Sequence, residues 1–327
     1  MPIQAIESRL KRFGLDRYMI LLIVSVLLAT FLPARGEFAR ILSHVTYWAV
    51  ALLFFLYGAK LSTTTIVSGL TNWRLQLGCL ACTYLLFPAL ALSVAPAVEH
   101  WLPAAFAVGF IYLGCLPSTV QSSIAFTSIS GGNIAGAVCA ASISNLMGVI
   151  LAPLLMALLL SAGGEVEIGG AAIWKICQQI LLPFALGQLC RPLLGGFLNR
   201  HKLPTMIVDR GSILLIVYSA FSAGVVNGIW QIVKPMDLAG LVLVVVLIMA
   251  VVMGVTVLLG RLAGMNRADL VALFYCGSTK SLATGLPMAG ILFHGQNVAM
   301  IVLPLMLYHL IQLFVCAIIS QRTAAPA

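Results

Sequence analysis

Two short polar stretches interrupt the most apolar parts of the sequence, and both contain groups that could bind ions. The first is CLPSTVQSS, residues Cys115–Ser123, and the second is CGSTKS, residues Cys276–Ser281. Pro117 removes a backbone donor from the first stretch, and Gly277 lowers helix propensity in the second, so we expect a helix to break at each. The N–H groups at such breaks can bind anions, and the carbonyls and hydroxyls can bind cations.

Lys280 in the second stretch is a full positive charge in the middle of an apolar segment. At the centre of a membrane helix a lysine costs roughly 2.5–3.5 kcal/mol on insertion scales. All nine Asp and Glu residues fall outside the apolar interiors of the predicted spans, so no carboxylate is predicted at its depth. Three interpretations stay open: a structural lysine bonded to carbonyls of the broken helix or reaching an interface, a partner for an anionic ligand, and an ammonium in a cation site. A lysine that releases its proton would also make the site sensitive to pH.

The candidate substrate- or ion-binding residues are small polar side chains near the two breaks, together with Lys280 and one polar residue on each span that follows a break. They are Ser118, Thr119, Gln121, Ser122, Ser123, Thr127, Asn145, Ser278, Thr279, Lys280, Ser281, Thr284 and His309. In the alternative interpretation Pro117 only kinks a helix, and the Ser and Thr hydroxyls bond to their own backbone. No catalytic residue and no resident metal is predicted.

The composition indicates an all-α protein that crosses a membrane many times. Hydrophobic residues make up 61% of the 327 residues and charged residues only 8%, against about a quarter in soluble domains. A spanning helix needs about 20 apolar residues. The sequence predicts ten spans, at about 17–33, 43–59, 74–96, 103–130, 134–160, 171–194, 211–229, 237–260, 268–293 and 296–320.

The basic residues orient these spans. Of the 18 Lys and Arg residues, only Arg35, Arg40, Lys175 and Lys234 fall on one side, Lys280 lies within a span, and the rest fall on the other side. Because cytoplasmic loops carry the excess of Lys and Arg, we expect both termini in the cytoplasm of a cell whose inner membrane holds the protein. Residues 1–16 combine apolar and basic positions at helical spacing, which predicts an amphipathic helix on the inner leaflet. The net charge of +9 then indicates membrane topology rather than nucleic-acid binding.

The chain also repeats itself at low resolution. Asn133 begins the fifth span and Asn297 the tenth, and each is followed 12 residues later by a polar residue, Asn145 or His309. Each of these spans follows an interrupted one. Five spans per half is an odd number, so the halves insert with opposite orientation, which is the inverted-repeat plan of secondary transporters.

Three motifs in this order resemble the bile acid:sodium symporter superfamily, and its SBF-like branch in particular. They are GCLPSTVQSSIAFTSISGGNIAGA (Gly114–Ala137), LLPFALGQLCRP (Leu181–Pro192) and CGSTKSLATGLPMAG (Cys276–Gly290). The resemblance covers nearly the whole chain. It implies a panel domain of spans 1, 2, 6 and 7 (residues 17–73 and 171–236) and a core domain of spans 3–5 and 8–10 (residues 74–170 and 237–322). It further implies that broken spans 4 and 9 cross in the core, and that an organic anion is carried with sodium.

The sequence departs from the bile-acid branch of that superfamily at the sodium site. That branch places a glutamate near the crossing in the ninth span, whereas LFYCGST (Leu273–Thr279) contains no acid. The hydroxyl ligands of its fifth span match Ala137 and Ala141 here. Na⁺ is therefore implied by the family as a coupling ion, while the residues themselves place Lys280 at the expected cation site.

These observations predict a secondary active transporter of a small organic anion, working by alternating access in a lipid bilayer. The alternatives are a sodium-independent or proton-linked carrier, a channel and a membrane-embedded enzyme. Four of the five histidines fall at span ends or in loops, and only His309 lies deep within a span, with no acid near it, which disfavours the enzyme. The sequence makes no prediction of the substrate's identity or of the oligomeric state.

Overall fold

The structure, a computed structural model, describes residues 17–60, 72–163, 177–293 and 297–323. All regular structure within these ranges is helical. Seven of the described helices are long and apolar enough to cross a membrane, and two shorter apolar segments accompany them. The chain is therefore a polytopic integral membrane protein. The amphipathic helix predicted for residues 1–16 lies outside the described residues.

The helices are numbered here in chain order. They are α1 (Arg17–Phe31), α2 (Gly36–Lys60), α3 (Trp73–Trp101, containing a π turn at Cys82–Leu86), α4 (Ala104–Cys115), α5 (Gln121–Ile129), α6 (Ile134–Gly163), α7 (Leu182–Arg200, preceded by a π turn at Cys177–Leu181), α8 (Lys202–Val226), α9 (Ile229–Ile232), α10 (Pro235–Leu262), α11 (Arg267–Ser278), α12 (Leu282–Leu292) and α13 (Val298–Thr323).

Each predicted span overlaps one of these helices or, for the fourth and ninth, a pair of them, and residues 171–176 of the sixth lie outside the described residues. The fourth segment is divided into α4 and α5 by non-helical residues 116–120, and the ninth into α11 and α12 by residues 279–281. Pro117 lies in the first interruption, where its missing N–H and fixed φ prevent α4 from continuing. The predicted interruption of both helices is confirmed.

The first group of helices contains α1, α2, α7 and α8. Helix α2 packs along α7 and α8, and α8 packs along α1. Two glycines set the distance between α2 and α7: a Cβ atom at Gly58 would overlap the carbonyl oxygen of Phe184, and one at Gly187 would overlap that of Phe55. Gly187 belongs to the LLPFALGQLCRP motif. Small residues allow helix backbones to approach this closely in membranes.

The second group surrounds the two interruptions. Helix α4 packs against α3, α6 and α13, and α11 packs against α3, α5, α6 and α10. Helix α12 contacts α13 and also α8 of the first group. On the outside of the bundle, Leu158, Leu193 and Leu262 are each more than half exposed. Exposed apolar side chains of this kind suit a lipid environment.

Candidate functional site

The two interruptions lie directly against each other. The backbone N–H of Ser281 donates to the carbonyl of Pro117 at 2.9 Å, which joins the breaks through their main chains. The hydroxyls of Ser118 and Thr119 each lie 3.0 Å from the hydroxyl of Thr279. The structure therefore brings together residues that are about 160 positions apart in the sequence.

The hydroxyls at this crossing form a connected, buried chain. Ser122 Oγ donates to Thr119 Oγ1 at 2.7 Å, Thr119 Oγ1 donates to Thr279 Oγ1, and Thr279 Oγ1 donates to the carbonyl of Tyr275 at 2.9 Å. Thr119 and Thr279 are buried. Since each hydroxyl donor already has an acceptor, this chain fixes the geometry of the crossing.

Lys280 is completely buried, and its ammonium has a full set of partners. Its Nζ donates to the backbone carbonyls of Thr83 at 3.0 Å, Gly114 at 2.7 Å and Leu116 at 2.6 Å. The same atom lies 4.0 Å from the ring centroid of Phe87. An ammonium has three donors, so all three are used here. Among the described residues no salt bridge involves Lys280. In this structure the lysine contacts two carbonyls at the break of the fourth span, as the first interpretation predicted, and one carbonyl of α3.

Local sequence explains why these carbonyls are free to accept. Within the π turn of α3, the N–H of Phe87 donates to the carbonyl of Cys82 instead of Thr83. The next candidate donor for Thr83 would be residue 88, which is a proline without an N–H. At the end of α4, the N–H of Ser118 donates to Ser144 Oγ at 3.1 Å and so leaves the carbonyl of Gly114 to Lys280.

Gln312 holds the main chain of Lys280. Its Oε1 accepts from the N–H of Lys280 at 2.8 Å, and its Nε2 donates to the carbonyl of the same residue at 3.0 Å. Nε2 also lies 2.9 Å from His309 Nδ1. Because an amide nitrogen only donates, Nδ1 of His309 accepts this bond. The sequence analysis missed Gln312, although a glutamine three residues after His309 lies on the same face of a helix.

Asn145 of α6 joins the two breaks from the other side. Its Nδ2 donates to the carbonyl of Ser118 at 2.8 Å, and its Oδ1 accepts from Thr284 Oγ1 at 3.0 Å. Ser281 caps the start of α12, where its hydroxyl accepts from the N–H of Thr284 at 3.2 Å. Of the pair suggested by the repeat, Asn145 therefore contacts the breaks directly, whereas His309 is linked to the second break through Gln312.

Four predicted site residues take no part in these contacts. The hydroxyls of Thr127 and Ser278 donate to carbonyls of their own helices, and that of Ser123 donates to the carbonyl of Thr119, four residues before it. Such bonds to nearby backbone are what the alternative interpretation of the Ser and Thr residues expected. The side chain of Gln121 is exposed, and the contacts with Thr279 are made by Ser118 and Thr119 instead.

A cavity of about 1100 Å³ separates the two helix groups. It lies between α2 with the loop before it, the π turn before α7, and α8 on one side, and α12 and the start of α13 on the other. Arg35 is the one charged residue among the described residues that line it, and Tyr47, Gln178 and Asn227 add polar groups. The sequence analysis used Arg35 only to orient the chain.

Three polar atoms in the lining of this cavity are buried and have no hydrogen-bond partner among the described residues. They are Thr46 Oγ1, Ser222 Oγ and Asn297 Oδ1. Buried polar atoms are nearly always paired, so these three require partners that the described residues do not provide. Within the described ranges, no three His, Cys, Asp or Glu side chains are close enough to form a metal site.

Comparison with known proteins identifies the family. The model of the SBF-like CPA transporter family matches residues 16–325. An uncharacterized protein of Pseudomonas aeruginosa is 48% identical over 96% of this chain and 94% of its own length. YfeH of Escherichia coli, named as a candidate symporter, is 47% identical over 94% of this chain and 92% of its own. Sodium/bile acid cotransporter 7 of Mus musculus is 28% identical over 95% and 93%. The chain, an integral membrane protein with two broken helices packed against each other, belongs to the SBF-like CPA transporter family of transporters.

Proposed function

We propose that this protein is a secondary active transporter that moves a small organic anion by alternating access, with the cavity between the helix groups as the substrate site. The observation that carries the proposal is the lining of this cavity. One positive side chain, Arg35, accompanies three buried polar atoms that have no partner in the part of the chain that the structure describes. A guanidinium forms strong, geometrically specific hydrogen bonds with carboxylates and other oxyanions.

The architecture that we propose has ten spans arranged as two inverted repeats. Helices α1, α2, α7 and α8 would form the panel domain (residues 17–73 and 171–236), and the remaining spans the core domain (residues 74–170 and 237–322). The close packing of α2 with α7 and the meeting of the two breaks support this division. In the proposed topology both termini are cytoplasmic in the inner membrane, and Arg35 lies on the outer side. The cavity then opens outward in this conformation.

Helix α12 connects the crossing with the cavity in this proposal. Ser281 and Thr284 at its start contact the breaks, while Pro287, Gly290 and Ile291 further along line the cavity. A ligand in the cavity would therefore contact α12, the short helix whose other end is bonded to Asn145 and Ser281. Movement of the core against the panel would then change the side to which the cavity opens.

The coupling ion is the finer part of the proposal. The name of the mouse relative, sodium/bile acid cotransporter 7, supports sodium as a co-transported ion. The buried ammonium of Lys280 supports a sodium-independent or proton-linked carrier instead, since it holds a positive charge at the crossing. Uptake measured in sodium and in choline buffers, at several pH gradients, separates these mechanisms.

The test of the substrate site compares two arginines of the same region. Arg35→Gln removes the charge from the cavity, while Arg40→Gln removes a charge that is already paired with Glu37 at 3.1 Å and does not line the cavity. Purified protein in proteoliposomes would be assayed with taurocholate, benzoate, succinate and gluconate as probe anions. We expect saturable uptake and counter-exchange of at least one probe. We expect about a tenfold increase in KM for Arg35→Gln, equivalent to about 1.4 kcal/mol, and an unchanged KM for Arg40→Gln.

Three outcomes would contradict the proposal. Equal effects of the two substitutions would remove Arg35 from the substrate site. Ion currents without counter-exchange would indicate a channel, and chemical conversion of a probe would indicate an enzyme.

A further inference from the structure

We infer that the carbonyls of Thr83, Gly114 and Leu116 form a binding site for a small monovalent cation, which Lys280 occupies with its own side chain. The three oxygens converge on one point at distances of 2.6 to 3.0 Å from Nζ. Converging backbone carbonyls that replace a hydration shell are the means by which proteins bind potassium. In this protein the cation is the ammonium of Lys280, which is covalently part of the chain.

The oxygens of this cage come from two separate elements. Thr83 belongs to the π turn of α3, whereas Gly114 and Leu116 lie at the end of α4. Three carbonyl dipoles that point at one another repel unless a positive charge lies between them. The C-terminal end of α4 adds the negative end of its helix dipole to the same point. The cage is thus electrostatically suited to a cation, and the cation holds α3 and α4 together.

The remaining side of the cage also suits a positive charge. The ring of Phe87 faces the ammonium at 4.0 Å, a distance at which an aromatic face attracts a cation. Within the described part of the chain, no carboxylate forms a salt bridge with Lys280. The charge is therefore stabilised by dipoles and a π face, as a bound ion would be.

This site bears on how transport is coupled to ions, a point that rests on the proposed transport function. A tethered ammonium cannot leave during a transport cycle, and no second cation can enter while the lysine is in place. We expect the cage to hold this tethered cation at the crossing rather than an exchangeable metal ion. The existence of the cage itself rests only on the geometry of Lys280 and can be tested without any substrate.

The experiment removes the lysine side chain from the cage and then supplies small cations that could replace it. Lys280→Ala removes the side chain and leaves the three carbonyls, while Lys280→Met keeps a side chain of similar length without the charge. Both variants and the wild type would be purified as fluorescent fusions, and Tm would be measured in ammonium, methylammonium, potassium, sodium and choline chloride at constant ionic strength. We expect Lys280→Ala to lose several degrees of Tm and to regain at least half of the loss, saturably, in ammonium or methylammonium. Wild type and Lys280→Met should respond no differently to these ions than to choline.

The contrary results are equally defined. If ammonium stabilises Lys280→Ala no more than choline does, or stabilises Lys280→Met equally, the cage is not a cation site. If Lys280→Ala does not fold during ordinary expression, its yield of monodisperse protein from cells grown with and without methylammonium becomes the readout. A yield that methylammonium does not raise overturns the inference. Because stability is measured, failure of the cage and failure of the transport proposal remain distinguishable.

Discussion

The break at residues 116–120 and the break at residues 279–281 lie against each other, but they take different roles in this contact. The carbonyls of Leu116 and Pro117 accept hydrogen bonds from Lys280 and Ser281 of the second break. In these contacts the first break provides main-chain acceptors, and the second break provides a side-chain ammonium and a main-chain N–H as donors.

The helices that follow the breaks differ in the same way. Asn145 on α6 contacts the first break through the carbonyl of Ser118. Gln312 on α13 satisfies both the N–H and the carbonyl of Lys280. At the start of α6, Asn133 donates to Asp269 at 2.7 Å and accepts from Gly136, while Asn297, which lines the cavity before α13, has a buried amide oxygen with no partner among the described residues. The two asparagines therefore have different environments.

Of the substitutions predicted here, reversing the charge of Lys280 in the second break should reduce stability most. Lys280→Glu places a carboxylate against three carbonyls, and an unpaired buried charge destabilises a protein by about 3–5 kcal/mol. Sodium would relieve this repulsion, because the new carboxylate and the carbonyls together form an oxygen-only site. We expect Tm of Lys280→Glu to rise saturably in sodium chloride relative to choline chloride.

The wild type and the neutral variant Lys280→Gln serve as controls and should show no sodium-specific rise. A sodium ion about 4 Å from an ammonium is repelled by about 4 kcal/mol at an effective dielectric of about 20. Saturable stabilisation of the wild type by millimolar sodium would contradict this view of the crossing.

Removing the two bridging amides should measure the difference between the breaks. Gln312→Leu leaves both main-chain groups of buried Lys280 unpaired, at a cost of about 1–3 kcal/mol for each group. Asn145→Leu removes one main-chain contact from a partly buried position and should cost about half as much. Denaturant unfolding of the purified variants in detergent would give both values. A larger loss for Asn145→Leu would reverse the proposed asymmetry.

A single proline in α3 should have the smallest effect. Pro88→Ala restores an N–H that can compete with Lys280 for the carbonyl of Thr83, so we expect a loss of about 1 kcal/mol, on the order of one hydrogen bond. Pro96→Ala in the same helix is the matched control and should be neutral or stabilising, because it lies away from the cage. Thermal unfolding of the two variants, measured side by side, tests this. Equal shifts would mean that the π turn does not serve the cage.

The sequence predicted the breaks because a proline, a glycine and runs of small polar residues are conspicuous among apolar ones. It also identified Lys280, Ser118, Thr119, Thr279 and Asn145, whose side chains carry that signal. It could not predict the cage, because main-chain carbonyls do the binding: Gly114 has no side chain, and the side chain of Leu116 makes none of these bonds.

Other residues could not be assigned correctly from the sequence, because it does not show which side chains are exposed or which distant residues come together. Gln121 has the right chemistry, but the first turn of α5 points its side chain away from the crossing and leaves it exposed. Thr46, Ser222 and Asn297 meet in the cavity from three different helices or their ends, and no local pattern links them. Gln312 was within reach of the helical spacing from His309. Ten membrane spans in an inverted repeat remain a prediction.

The two glycines between α2 and α7 limit how the molecule can move. Gly58 and Gly187 each place bare backbone against a carbonyl of the opposite helix, at Phe184 and Phe55. Helices in such close contact cannot slide past each other by a helical turn, because the next side chains along each surface are too large to take the places of the glycines. Helices α2 and α7 should therefore move together as one rigid body. The cavity could then change the side of the membrane to which it opens only by movement of its other wall, which is formed by α12 and α13 where they contact α8.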